Sequence, residues 1–128
     1  MKYIIMGKPT PLARARHANG HVYDSQKHEK LRVGLHLENQ HDDRPKYKGA
    51  LHMEIIFYFE PSNKKRELLH GRPHVIKPDT SNLIKFYEDV GNGILYQDDC
   101  TISSITAKKV YDKGETRTEI IITEIDDE

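Results

Sequence analysis

The clearest pattern in the chain is a strict alternation between positions 51 and 59. Leu51, Met53, Ile55, Phe57 and Phe59 are apolar, with His52, Glu54, Ile56 and Tyr58 between them. Side chains two apart share one face of a strand, so this period predicts a strand with one wholly apolar face. A second period starts at residue 81. Leu83, Phe86, Tyr87 and Val90 recur at helical spacing while Asn82, Lys85 and Asp89 fall on another face, so residues 81–90 read as an amphipathic helix. Gly91-Asn92-Gly93 supplies its stop.

Weaker patterns fill in the rest. Lys2–Met6 reads as a short strand ended by Gly7 and Pro9. Residues 8–23, with two prolines and Lys8, Arg14, Arg16, His17 and His21, read as an exposed loop. Asp24 or Ser25 is placed to cap a helix reaching about residue 40, in which Leu31 and Leu35 share a face. Gly34 weakens that helix, since glycine inside a helix costs about 1 kcal/mol relative to alanine. Residues 61–72 are polar and basic and read as a surface loop, and residues 74–76 as a short strand leading into Lys77-Pro78-Asp79. Strands at about 102–111 and 118–125 are joined by a turn around Lys113-Gly114. Strands and helices mix without regular βαβ alternation, which predicts an α+β fold with a small mixed sheet and two main helices. A chain of 128 residues fits one domain, 1–128.

Composition adjusts this outline. Hydrophobic residues make up 36% and charged residues 31%, which suits a modest core and much solvated surface that a second copy could partly cover. The single cysteine, Cys100, excludes an internal disulfide framework and fits a reducing compartment. The N-terminus has too brief an apolar run for a signal peptide or a membrane span, so cytoplasm is the default expectation. Net charge is zero, yet residues 1–80 hold 15 Lys/Arg against 9 Asp/Glu and residues 81–128 hold 5 against 11. A basic half beside a carboxylate-rich half suits a metal-using phosphodiesterase. The acidic run 124–128 is equally readable as a solvated end.

The chemistry concentrates between Lys77 and Ile102. Asp79 ends an extended X-Pro approach at a helix start, where its carboxylate would be held facing out. Asp98-Asp99 follows the helix, the glycine turn and a short apolar run, a return able to bring these carboxylates beside Asp79. Hard oxygen donors without His/Cys spacing select Mg²⁺ or Mn²⁺ over Zn²⁺. Lys85, about one and a half turns beyond Asp79, would set an ammonium near the same metal. A carboxylate-held metal activates water, and the lysine neutralises charge developing on phosphate, so these are parts for phosphodiester hydrolysis. In the plainer alternative, Asp79 is a helix cap and Asp98-Asp99 an ordinary turn.

The whole segment resembles the RusA family of Holliday-junction resolvases, whose hallmark is Lys-Pro-Asp-x-Asp-Asn-Leu-x-Lys, then Asp, Asn-Gly and an Asp-Asp pair. Lys77-Pro78-Asp79, Asn82-Leu83, Lys85, Asp89, Asn92-Gly93 and Asp98-Asp99 match it. Gly7-Lys8-Pro9, Arg14 and Arg16, and Tyr23-Asp24-Ser25 before a helix resemble the family's start. The resemblance implies a homodimeric α+β domain with one acidic site per subunit, cutting opposed strands of a four-way DNA junction. It implies Asp79, Asp98 and Asp99 as metal ligands, with Asp79, Lys85 and Asp99 catalytic. Lys8, Arg14, Arg16 and Lys77 become the candidate DNA contacts.

One position departs from the family. Its second aspartate is Ser81 here, a neutral hydroxyl and a poor substitute for a carboxylate on Mg²⁺. An active resolvase and a junction-binding protein with weak or lost catalysis both remain open. Lys64, Lys65, Arg66 and Arg72 form a second basic group that either grips phosphate or is simply solvated. His17/His21 and His70/His74 have H-x₃-H spacing, but the glycines beside them deny the helix that would align a zinc site. Cys100 is expected to be a small packed residue, and Tyr96 to belong to the core.

Overall fold

The computed structural model describes residues 1–13, 16–18 and 20–125. Its elements run β1 (Lys2–Met6), β2 (Arg16–Ala18), β3 (His21–Tyr23), α1 (Lys27–His41), β4 (Leu51–Phe59), α2 (Arg66–Leu69), α3 (Thr80–Gly91), β5 (Ile102–Tyr111) and β6 (Arg117–Glu124). Single 3₁₀ turns lie at Asn63–Lys65 and Asp99–Thr101. The architecture is α+β, as the mixed pattern predicts. Among the described residues no helix is long and apolar enough to cross a membrane.

The alternating segment becomes an inner strand of a four-stranded sheet ordered β1-β6-β4-β5. β4 runs antiparallel to β6 and parallel to β5. A parallel pair needs a long crossover, and the chain between β4 and β5 supplies it, carrying α3 onto the sheet. The five apolar residues of β4 are all at most 5% exposed. With Tyr3, Ile5, Ile120 and Ile122 they form the sheet side of the core, and Val33, Leu37, Leu83, Phe86 and Tyr87 form the helix side. Tyr87 also ties down the chain after β1. Its buried hydroxyl accepts hydrogen bonds from the Thr10 N–H and the Thr118 hydroxyl, each at 3.1 Å.

The opposite sheet face is held by charge. Glu119 is 7% exposed and accepts bonds from Lys2 Nζ and Arg117 Nε, each at 2.7 Å. The Arg117 guanidinium lies 3.8 Å from the Tyr58 ring centroid, a cation–π contact. Burial alone would push the Glu119 carboxyl up. The bonds from Lys2 and Arg117 outweigh it and hold that carboxyl below the ordinary glutamate range.

Four expectations need correction. The 8–23 loop contains a short hairpin, β2 paired with β3. The 61–72 segment is not all loop, since it forms the Asn63–Lys65 turn and α2. Residues 74–76 are not a strand. The chain just before them lies along the outer edge of β5, with Gly71 N–H donating to the Tyr111 carbonyl at 2.8 Å and His74 N–H to the Lys109 carbonyl at 3.0 Å.

The fourth correction concerns α1. Its N-cap is Gln26, and Asp24 instead accepts the Gln26 N–H at 2.8 Å, setting the turn that precedes the helix. Leu31 and Leu35 do share a face, but they are 61% and 50% exposed. The buried stripe is Val33, Gly34, Leu37 and His41. A side chain at residue 34 would occupy the approach of Ile94 and Val90, so the bare glycine marks where α1 meets the α3 region.

Candidate functional site

The sequence 77–79 is pinned before α3 begins. Lys109 reaches across from β5 and its Nζ donates to the carbonyls of Ile76 and Pro78, each at 2.7 Å. Asp79 then occupies the N-cap position with extended backbone, φ −67° and ψ 139°, yet its carboxylate makes no capping hydrogen bond. The side chain is 58% exposed, and Lys77 Nζ stands 3.9 Å away on a side chain 90% exposed. An exposed pair at that distance contributes at most about 1 kcal/mol, so the Asp79 oxygens remain available.

The other end of α3 holds the second acidic group. Asn92, its C-cap, donates through Nδ2 to Asp99 Oδ2 at 3.1 Å and accepts the Asp99 N–H on Oδ1 at 2.7 Å. This reciprocal clamp fixes one carboxylate oxygen of Asp99. Asp98 caps the following 3₁₀ turn by accepting the Cys100 N–H at 3.0 Å, which holds its carboxyl below the ordinary range. Glu88 is half-buried, and burial first, then the charge of Asp99, pushes its carboxyl up. The return loop is seated by Tyr96, whose hydroxyl donates to the Glu88 carbonyl at 2.7 Å. Gly91 makes that possible, because a Cβ there would run into the Tyr96 hydroxyl.

On sequence alone Asn92 falls in the helix stop and the RusA-like pattern without a site role, and Glu88 is not singled out. Ser81, Lys85, Glu88 and Asn92 recur at helical spacing, so the period that exposed the apolar face also carried this polar stripe.

The stripe has a cost for the expected site. Asp79 and Asn92 bracket α3, so at 1.5 Å per residue they stand about 20 Å apart along its axis. Side-chain reach shortens this by only a few ångström at each end. The expected return therefore brings Asp98 and Asp99 to the far end of the helix and not beside Asp79. Lys85 lies about halfway between, exposed. Among the described residues no three His, Cys, Asp or Glu side chains converge on one point. Asp79 and Asp99 are the hard oxygen donors that Mg²⁺ takes, but at this span they do not share an ion bonded at about 2.1 Å. Within one chain the residues do not fit the metal.

The family model for the endodeoxyribonuclease RusA matches residues 6–123. The chain belongs to the RusA family. An uncharacterized protein, YqaN, of Bacillus subtilis (strain 168) is 29% identical over an alignment covering 98% of this chain and 96% of that protein. RusA membership carries the family's general character, an endonuclease associated with Holliday junctions and with divalent metal.

Of the basic residues in the RusA-like pattern, Lys8 and Lys77 line one cleft with Asp79, Pro78 and Asn82, about 360 Å³ in volume. Arg14 lies outside the described residues, and Arg16 is described only as a backbone position of β2. In the second basic group, Arg66 is taken up by Glu60 at 2.7 Å and the Lys113 carbonyl at 2.6 Å. His70 accepts the Lys113 N–H at 3.0 Å while His74 stacks on Phe59, so they form no zinc pair. The His17 and His21 side chains lie outside the described residues. Cys100 is exposed instead of packed, and the neighbouring Asp98 pushes its thiol up, away from reactivity. Tyr96 is fully buried, in the core as expected.

Proposed function

We propose that this chain, acting as one unit over residues 1–128 in the cytoplasm, is a Mg²⁺- or Mn²⁺-dependent endodeoxyribonuclease that resolves four-way DNA junctions. The observation that carries this reading is the Asp79 carboxylate, free of its capping bond and sharing a cleft with Lys8 and Lys77. A carboxylate flanked by two lysines suits a bound phosphate with its counter-cation.

The separation of the two acidic groups favours a homodimer. A second copy with its α3 antiparallel would set its Asp99 against the Asp79 of the first, and symmetry would repeat the pairing about 20 Å away. Asp79 of one copy and Asp99 of the other would hold the divalent cation, which would supply an activated water and neutralise phosphate charge. In this reading Asn92 orients Asp99, Lys85 sits between the paired sites to meet charge on the phosphate, and Lys8 and Lys77 hold the strand. Paired sites match paired cuts across a two-fold junction.

The test is cleavage of a synthetic four-way junction with Mg²⁺. Asp79→Asn and Asp99→Asn should each lower the rate by about 10²-fold or more while junction binding persists. Mn²⁺ binding, followed by electron paramagnetic resonance, should fall in both variants. Wild-type cutting by Asp79→Asn would overturn the reading. A second reading, a junction-binding protein with weak catalysis, is favoured by Ser81. It is exposed on the stripe shared by Lys85 and Asn92, where the family carries a carboxylate.

A further inference from the structure

We propose that the large cavity beside the Asp79 cleft is a nucleotide subsite, taking one unstacked base of the DNA with its phosphate at the rim. The inference rests on the endonuclease reading and extends it to how branched DNA is recognised. The cavity is about 600 Å³, within the usual range for small-molecule sites. Phe59, His74 and Tyr111 line it. His74 stacks on Phe59 with centroids 4.1 Å apart and planes at 19°, and tilts against Tyr111 at 4.9 Å and 54°. Phe59 and His74 cover each other's faces, so the partly exposed ring of Tyr111 is the wall left to take the face of a base, which stacks without regard to its identity.

Two further observations point to a ligand. His74 is 6% exposed, yet its Nδ1 has no hydrogen-bond partner among the described residues. Buried polar groups are nearly always paired, so this nitrogen is an orphan that a base edge would satisfy. The rim carries Lys8, Lys65 and Lys77, and the lining carboxylate of Glu60 is already engaged by Arg66 at 2.7 Å.

Position then connects the cavity to the chemistry. Lys8 and Lys77 line both this cavity and the Asp79 cleft. A base stacked inside would leave its phosphate between those lysines, next to Asp79. Intact duplex offers such a base only at an unstacking and unpairing cost of a few kcal/mol, because its faces are covered by neighbours. A branch point offers one at less cost, so the cavity would favour branched over continuous DNA.

Nuclear magnetic resonance of the full chain tests this, with the His74 and Tyr111 ring signals followed during titration. The probes are single-stranded deoxytetranucleotides of each base, a blunt duplex, and inorganic phosphate. Tetranucleotides should shift both rings saturably, and the duplex should not. Ser62→Trp, at an exposed lining position, should weaken tetranucleotide binding at least tenfold by filling the cavity. His74→Phe keeps the stack but removes the ring nitrogens, and should weaken binding several-fold and flatten the preference among the four bases.

The proposal is overturned by unshifted rings, by ring shifts reproduced with phosphate alone, or by His74→Phe and Ser62→Trp both binding as wild type. Junction cleavage is scored separately. Ring shifts without cleavage would sink the resolvase reading and leave the subsite, and cleavage without ring shifts would do the reverse.

Discussion

Ser81 stands on the α3 stripe with Lys85 and Asn92, exposed, at the place where the family has an aspartate. Hard-cation affinity rises with ligand charge in a suitable cavity, so Ser81→Asp should lower the Mg²⁺ concentration that half-saturates junction cleavage. An unchanged value with robust wild-type cutting would mean that another group already fills the place. Loss of cutting would mean that the added charge repels Asp79 or the phosphate. A second residue-scale prediction follows from Glu119. Its carboxyl is held low in the folded protein, so the stabilisation is present above about pH 4.3 and lost as pH falls through the folded value. Glu119→Gln should therefore cost about 1–3 kcal/mol near pH 7, because two cations lose their counter-charge and one carboxylate oxygen becomes a donor amide. Urea unfolding across pH should show the two proteins converging in acid, and a constant gap would contradict the argument.

The two helix glycines should respond in opposite directions. At Gly34 a methyl group would meet Ile94 Cδ1 at 3.4 Å and Val90 Cγ1 at 3.8 Å, ordinary contact distances. Gly34→Ala should gain about 0.5–1 kcal/mol, since the helix loses a flexible residue without a clash. Gly91→Ala drives a methyl group into Tyr96 and should lose about 1–3 kcal/mol, read by the same unfolding measurements. What was legible in the sequence divides along similar lines. The periods of β4 and α3 are set by which side chains face the sheet, and both elements appear where the pattern places them. Leu31 and Leu35 share a face as their spacing predicts, but a second stripe on α1 has the same spacing, and only the packing at Gly34 decides which of the two is buried. The motif singled out Asp79, Asp98 and Asp99, the acidic residues proposed for the site. Their span was not readable, because it depends on α3 remaining unbroken from Thr80 to Gly91 and on Asn92 holding Asp99 at its far end.

At the scale of the molecule, the split between Asp79 and Asp99 makes a prediction about mixed subunits. If each site takes one group from each copy, mixing Asp79→Asn with Asp99→Asn should restore cutting. In such a heterodimer one site carries both substitutions and the other carries neither. If each site lay within one chain, every site would remain damaged and mixing would restore nothing. Light scattering at micromolar concentration supplies the companion result, and a monomeric mass would count against the arrangement. The sheet order β1-β6-β4-β5 has a consequence of a different kind. β5 is an edge strand, and among the described residues the segment at 71–74 shields only its far end, through bonds to Lys109 and Tyr111. The near end, with Ser103, Ser104, Ile105 and Thr106 exposed, offers open main-chain groups of the sort that recruit stray strands into aggregates. The hydroxyl side chains there, followed by the exposed charge of Lys108, make that margin poorly adhesive, so the fold guards its solubility with side-chain chemistry where it lacks a covering segment.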